Sequence, residues 1–288
     1  MRGKTKIGIF FVALLGIVAF YLWQFILENE QTRESVVDVV FFDVGQGDGS
    51  LIKMPESNQM IIDGGPSKDF VAKVTREMPL FDRKIEMMVL THPDNDHITG
   101  LFEIFDAFEV ERVLMPEIKN KDKYKYLYVN FKRKAKEEKS KIIFAKQGQK
   151  ISFPGGVYFL IFWPKKSLVD TDTNDFSVVG KLIFGKTSFL FAGDISDKVE
   201  RILVSERFNI ESQILKVSHH GSKYSSSDNF LGKVLPQVAI ISVGKNNYGH
   251  PTDEVLERLE KYDIKVFRTD QEGNIRIISD GKNLEIKN

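Results

Sequence analysis

The chain reads as a layered α/β protein, two mixed sheets covered by helices, and three observations lead there. Short runs rich in β-branched and aromatic residues outnumber helical stretches. The helical stretches are dispersed among those strands rather than grouped. Some strands, such as IEMMVLT at 85–91, are near-continuous apolar runs of the kind buried on both faces. The 288 residues suffice for a sizeable core, and 42% hydrophobic against 28% charged residues argues for a globular protein. A net charge of +1 gives no global pull toward nucleic acid or membrane, so any such affinity has to be local. Cysteine is absent, which rules out disulfides, thiolate metal sites and a cysteine nucleophile.

The first element is apolar. IGIFFVALLGIVAFYLWQFIL, residues 7–27, has no charge. At 1.5 Å per residue it spans about 31 Å, the thickness of a bilayer core. Arg2, Lys4 and Lys6 precede it, and Glu28 and Glu30 follow it. That bias puts the N-terminus in the cytoplasm and residues 28–288 on the far side of the membrane. A cleaved signal peptide has a shorter apolar stretch and ends in small residues, whereas this one ends WQFILENE. A retained single-pass anchor in the cell membrane is expected over 1–28, with a linker over 29–35 and the folded domain over 36–288.

The domain opens with the strand VVDVVFFDVG (36–45), which ends in a glycine turn. DGSLIKMP (48–55) and NQMIIDGG (58–65) read as a hairpin around ESN, followed by a helix over 67–79 and the strand at 85–91. GLFEIFDAF (100–108) has helical spacing and VERVLMP (110–116) is a strand. Residues 119–141 carry ten Lys or Arg against three acids, with Tyr124, Tyr126, Tyr128 and Phe131 interleaved. Such a stretch could meet phosphates and stack on bases, or be a solvated helix or loop whose aromatics pack inward. Strands follow in KIIFAK (141–146), KISFPGGVYFLIFWP (150–164) and SVVGKLIFGKTSFLFAGD (177–194). After a helix over 196–207 come SQILKVSHHGSK (212–223) and VAIISVGKNN (238–247), then a helix over 251–262. The strands IKVFRT (264–269) and NIRIIS (274–279) are joined by DQEGN.

The chemistry concentrates in THPDNDHITG, residues 91–100. Of only five histidines, His92 and His97 lie here, with Asp94 and Asp96 between them. Imidazole and carboxylate together suit divalent ions, and several carboxylates tilt the balance from Zn²⁺ toward Mn²⁺ or Mg²⁺. FLFAGD presents Asp194 at a strand end, and LKVSHHGS presents His219 and His220 at another. YGHP adds His250, so all five histidines fall at strand-to-loop exits, where an α/β core projects its functional groups.

THPDNDH, FAGD and VSHHGS resemble the successive metal motifs of the metallo-β-lactamase fold. FFDVGQGDGSLIKMP, IIDGG, TNDFSVVGKLIFG and NNYGHP narrow the likeness to the hydrolase domain of ComEC-type competence proteins, membrane proteins of DNA uptake, over about residues 36–280. The resemblance implies a four-layer αβ/βα sandwich behind the N-terminal transmembrane helix, and two divalent ions (Mn²⁺ or Zn²⁺, with Mg²⁺ also compatible). By position, His92 and Asp94 would hold the first ion, Asp96 and His97 the second, and Asp194 would bridge. One or both of His219 and His220 would complete the second site, and Asp63 would support the metal loop through hydrogen bonds. The usual cluster has a histidine where Asp94 stands, and no histidine lies between 97 and 219. The first site is therefore poor in nitrogen, and Asn174 and Asp175 lie where a replacement ligand could come from.

The implied activity is metal-dependent hydrolysis by a metal-bound hydroxide, on DNA as a phosphodiesterase or nuclease. Asp96 is a candidate proton acceptor, and His250 or the non-ligating member of His219 and His220 a candidate proton donor to the leaving oxygen. Lys223, Ser222 and Ser225 are candidate phosphate contacts, and Gln46 and Asp48 of DVGQGD candidate substrate contacts. The alternatives are hydrolysis of a cell-wall phosphoester, lactam or ester on the same fold, or a non-catalytic binding module. A DNA-uptake channel is a conceivable partner, although one apolar span cannot itself form the many-helix pore.

Overall fold

The computed structural model describes residues 15–21, 23–24, 36–118, 125–165 and 172–287. The expected membrane anchor lies largely outside the described residues; 15–21 and 23–24 are helical, and no helix among the described residues is long and apolar enough to cross a membrane.

Among the described residues, seventeen strands form two large sheets and a two-stranded ribbon. The first half of the chain gives β1 (Val37–Phe41), β2 (Gly49–Met54), β3 (Asn58–Gly64), β4 (Lys84–Ile85), β5 (Met87–Val89), β6 (Glu109–Val110), β7 (Arg112–Met115) and β8 (Lys141–Phe144). The second half gives β9 (Lys150–Ser152), β10 (Tyr158–Trp163), β11 (Val179–Phe184), β12 (Thr187–Phe191), β13 (Ile214–Lys216), β14 (Val238–Ile241), β15 (Lys265–Arg268), β16 (Ile275–Ser279) and β17 (Leu284–Lys287). One sheet runs β17-β16-β1-β2-β3-β5-β7-β8, antiparallel up to β3 and parallel beyond it. The other runs β15-β14-β13-β12-β11-β10-β9, parallel from β15 to β12 and antiparallel beyond. Both sheets are mixed, as expected. The expected strand at 85–91 is split: Ile85 pairs with Val110 in the ribbon, while Met87–Val89 joins the large sheet.

The helices are α1 (Phe70–Glu77), α2 (Asn95–Ile98), α3 (Leu101–Ala107), α4 (Lys125–Glu137), α5 (Asp197–Ser205), α6 (Asp228–Val234), α7 (Asp253–Lys261) and α8 (Thr269–Glu272). The period-two alternation of β1 sorts its side chains between layers. Val37, Val39 and Phe41 point between the sheets, where Phe41 stacks on Phe191 at 5.8 Å. Val40 faces the other way, toward the apolar sides of α1, α3 and α4. A third cluster packs α5, α6 and α7 on the outer face of the second sheet. The result is the four-layer αβ/βα sandwich. β15 and β16 belong to different sheets, so the DQEGN connection, part of which is the short helix α8, carries the chain from one sheet to the other.

Residues 125–137 of the basic stretch form α4, with Tyr128, Phe131 and Ala135 on its buried side, so Tyr128 and Phe131 are not free to stack on bases. Tyr126 is exposed, and Tyr124 lies outside the described residues. Lys134 is tied to Asp106 and Glu138. At Gly100 the backbone comes very close to its neighbour: a Cβ there would lie 2.0 Å from the Gly64 carbonyl oxygen. This contact seats the α2–α3 junction on the end of β3, beside Asp63.

Candidate metal centre

The parallel strands of both sheets release their chains at one edge of the sandwich. Asp63 stands at the end of β3, His92 beyond β5 and Asp194 beyond β12. Beyond β13 the backbone turns sharply, with His219 and His220 both left-handed at φ of 50° and 53°. Histidine tolerates that region better than most residues, and the turn sends the two rings different ways. His220 points inward and is buried; His219 is half-buried and lies beside Asn174, whose Nδ2 is 3.3 Å from its Nε2.

Three rings point their Nε2 atoms at one carboxylate oxygen. Asp194 Oδ2 lies 3.9 Å from His92 Nε2, 3.4 Å from His97 Nε2 and 3.3 Å from His220 Nε2. Each of these nitrogens is buried without a hydrogen-bond partner, as is Asp194 Oδ1. The opposite ring nitrogens are all engaged. His220 Nδ1 is 2.8 Å from the Ser242 carbonyl, which can only accept, so Nδ1 carries the proton. His97 Nδ1 sits 2.9 Å from Asp63 Oδ2. Asp63 also accepts from the Thr91 amide at 2.8 Å and the Thr91 hydroxyl at 2.6 Å. With its proton given to Asp63, the Thr91 hydroxyl accepts from His92 Nδ1 at 3.1 Å, and Ser177 Oγ lies 3.3 Å from that same nitrogen. All three rings are thus set to offer an Nε2 lone pair to the same point, as metal-ligating histidines are. Asp96 Oδ2 is 3.3 Å from His220 Nε2, and Asp94 Oδ2 is 3.9 Å from His92 Nε2. His92, His97 and Asp194 form one close donor group, and Asp96, His97 and His220 another. Buried polar atoms without partners are costly, and this set fits a divalent cation.

Burial and neighbouring charge set the protonation. Burial, then the charge of His97, pushes His92 down to about 3, so the ring is neutral. Burial alone would lower His97, but Asp194, Asp63 and Asp96 outweigh it and raise the ring well above the usual imidazole range. His220 is raised likewise against burial by Asp194 and Asp48. Burial works to raise Asp96, yet His97 and His220 hold it below the carboxylate range. That suits lone-pair donation and weakens its expected part as a proton acceptor. Burial lifts Asp94 to about 6. His250 is pushed down to about 4 by burial and then by His219, so near neutral pH it holds no extra proton to give.

Other expected positions are placed elsewhere. Asp48 does not face substrate: it is buried, with Oδ2 2.5 Å from Lys216 Nζ and Oδ1 3.3 Å from His220 Nδ1. Asp175 does not join the cluster, because its Oδ1 accepts from the Ser196 hydroxyl at 2.7 Å and braces the chain beyond Asp194. Ser222 and Ser225 are buried in the turn after His220; Ser225 Oγ bonds the Ser218 carbonyl, and Ser222 Oγ accepts from the Tyr224 amide. Gln46 reaches across to the Gly244 amide at 3.4 Å. Lys223 is exposed, its ammonium 5.2 Å from the centre of the Tyr224 ring. Lys216 and Ser177 were not singled out from the sequence. A lysine inside the apolar run ILKVS was the available signal for the first. Ser177 had none, yet its hydroxyl accepts the Asp194 amide at 2.9 Å. Gly193 sits at φ +55, and a Cβ there would meet that serine at 2.7 Å.

The fold is that of the metallo-beta-lactamase superfamily, and the chain belongs to it: the sequence profile of that family matches residues 42–245. Membership places it among metal-dependent hydrolases, and the fold implies divalent-metal binding, which the orphaned nitrogens and carboxylates satisfy. Its curated relatives include competence proteins of the ComEC type. It is 30% identical over 265 residues to ComE operon protein 3 of Bacillus subtilis, covering 85% of this chain and 33% of that protein. It is 31% identical over 267 residues to Recombination protein 2 of Haemophilus influenzae, covering 91% and 31%. The chain thus spans about a third of the length of these relatives. Among solved structures, a variant of the CmlA beta-hydroxylase matches with a TM-score of 0.53 at 12% identity, covering 84% of this chain and 53% of that one. Zinc-bound PqqB from Methylobacterium extorquens matches with a TM-score of 0.50 at 11% identity, covering 80% and 97%. Both likenesses concern the fold alone.

Two outcomes follow from the electrostatics. Lys216→Met takes from buried Asp48 its nearest cation and should cost about 3–5 kcal/mol in urea unfolding, much of it recovered by adding Asp48→Leu. No loss of stability would contradict the buried pair. Second, the metal-free protein holds protons on His97 and His220 that a cation must displace. Apparent affinity should therefore rise as pH climbs through those raised values and fall below them. Calorimetric titration near pH 7 in buffers of different ionisation enthalpy should show proton release; its absence would contradict ligation by these two rings.

Proposed function

We propose that the chain is a membrane-anchored, metal-dependent phosphodiesterase that cuts DNA at a two-ion site. The observation that carries this reading is the convergence of the His92, His97 and His220 Nε2 atoms on Asp194, with every Nδ1 held by an acceptor. His92 and Asp94 would hold one ion and Asp96, His97 and His220 the other, with Asp194 within reach of both groups. Ions so held would activate water as the nucleophile and neutralise charge on the attacked and leaving oxygens.

The residues around them do the positioning. Asp63 and the Ser242 carbonyl keep two imidazoles turned inward. Thr91 and Ser177 do so for the third. His219 is left outside that set, beside Asn174 and with its ring centre 5.3 Å from that of His250, where neutral imidazoles can hydrogen-bond a leaving oxygen. Lys223, exposed at the rim with its ammonium over the Tyr224 ring, supports a phosphate contact there. DNA is favoured as substrate by this rim and by the competence relatives, and a DNA-uptake channel is the natural partner on that ground.

Residues 7–27, uncharged and preceded by three cations, support single-pass anchoring with the catalytic domain outside the cytoplasm. The chain has no cysteine, so Lys282→Cys gives a single exposed thiol. Its labelling by an impermeant maleimide on intact cells fits that topology, and labelling only after lysis would reverse it.

The direct test strips the full chain of metal, restores Mn²⁺, Zn²⁺ or Mg²⁺ and follows labelled DNA. Cleavage should require metal, vanish in Asp194→Ala and fall about 10–100-fold in Asp63→Ala. Metal-dependent cleavage untouched by Asp194→Ala would sink the site assignment. Hydrolysis of a small phosphodiester but not of DNA would remove DNA as the substrate.

A further inference from the structure

One exposed ring near the centre has no part in the reading above. Tyr248, in the NNYGHP segment between β14 and α7, is 76% exposed. A single exposed tyrosine needs no explanation, but three features set this one apart.

The first is continuity. Tyr248 stacks on His250, with ring centres 5.7 Å apart and planes 30° apart. His250 stands edge-on to His219 at 5.3 Å, and His219 edge-on to His220 at 6.2 Å. A run of rings therefore leads from solvent to the donor cluster, with one face of Tyr248 covered by His250.

The second is bracing. Asn246 ties the segment together with four hydrogen bonds. Its Nδ2 donates to the carbonyls of Gly244 and His250 at 2.9 and 2.8 Å. Its Oδ1 accepts the amides of Tyr248 and His250, both at 3.0 Å. The exposed ring is presented by a braced loop, not by a slack one.

The third is company. The Thr252 amide donates to the Gly221 carbonyl at 2.9 Å, fastening this loop to the turn after His220. That turn leads into Lys223 and Tyr224, a second exposed aromatic with a cation over it. Exposed rings interleaved with cations beside a phosphate-cleaving centre are the usual means of holding an unpaired strand, because every base has a face to stack and every link a charge to meet.

We infer that the open face of Tyr248 is the stacking position for an unpaired nucleobase of the strand whose phosphate enters the metal centre. Tyr248 is then a substrate-positioning residue, and it acts through its ring and not its hydroxyl. The inference rests on the nucleic-acid reading of the site.

The test uses the full metal-loaded chain and two fluorescein-labelled probes: a phosphorothioate oligothymidylate that resists cleavage, and the same backbone without bases. Fluorescence anisotropy gives the affinities. Tyr248→Ala should weaken the oligothymidylate about tenfold and leave the abasic strand unchanged, while Tyr248→Phe binds both like the parent. Equal weakening of both probes would overturn the inference by showing that Tyr248 only shapes its loop. So would unaltered binding by Tyr248→Ala, or a loss in Tyr248→Phe as large as that in Tyr248→Ala. If the parent chain binds neither probe, the nucleic-acid reading fails with it; binding by the parent with an indifferent Tyr248 overturns the stacking position alone.

Discussion

Five carboxylates, those of Asp48, Asp63, Asp94, Asp96 and Asp194, meet at one edge of this sandwich, and a single buried lysine, Lys216, meets them there. Burying charge without compensation is prohibitive, so protons or cations have to supply the balance. In the metal-free protein the protons on His97 and His220 supply part of it. A bound cation would take over that task and free the same nitrogens to coordinate it. The rest of the structure holds those carboxylates together against their repulsion.

The sandwich does so by delivering each group from the end of a different strand. β3, β5 and β12 are anchored by an intersheet core in which Phe41 and Phe191 stack, so Asp63, His92 and Asp194 begin from rigid supports. Close backbone contacts at Gly100 and Gly193 bring the loops within hydrogen-bonding reach. Side chains set behind the rings then fix their orientation. The Lys216–Asp48 pair under His220 is the clearest case, a positive charge placed behind a ligand to keep a neighbouring carboxylate ionised.

Much of this was legible in the residues. The HxDxDH spacing, the Gly-Asp and His-His-Gly strand exits and the apolar runs were enough to expect mixed sheets and a metal cluster, because periodicity and donor chemistry are local properties. What escaped depends on three-dimensional direction. No local rule separates His219 from His220; a left-handed turn does. In sequence Asp48 reads as a substrate contact and Asp175 as a replacement ligand, yet Lys216 and Ser196 engage them from remote strands and loops. In α4 the lysines dominated the composition, although Tyr128, Phe131 and Ala135 already stood at helical spacing for an inward face.

The measurement that bears most directly on the central claim is metal content: elemental analysis of the full chain after reconstitution, beside Asp194→Ala, with anomalous scattering to place the ions. The charge balance described here predicts two ions per chain, lying between His92 and His220 with Asp194 shared, and a loss of bound metal in the variant. A chain that takes up no metal, or keeps its full complement without Asp194, would contradict it.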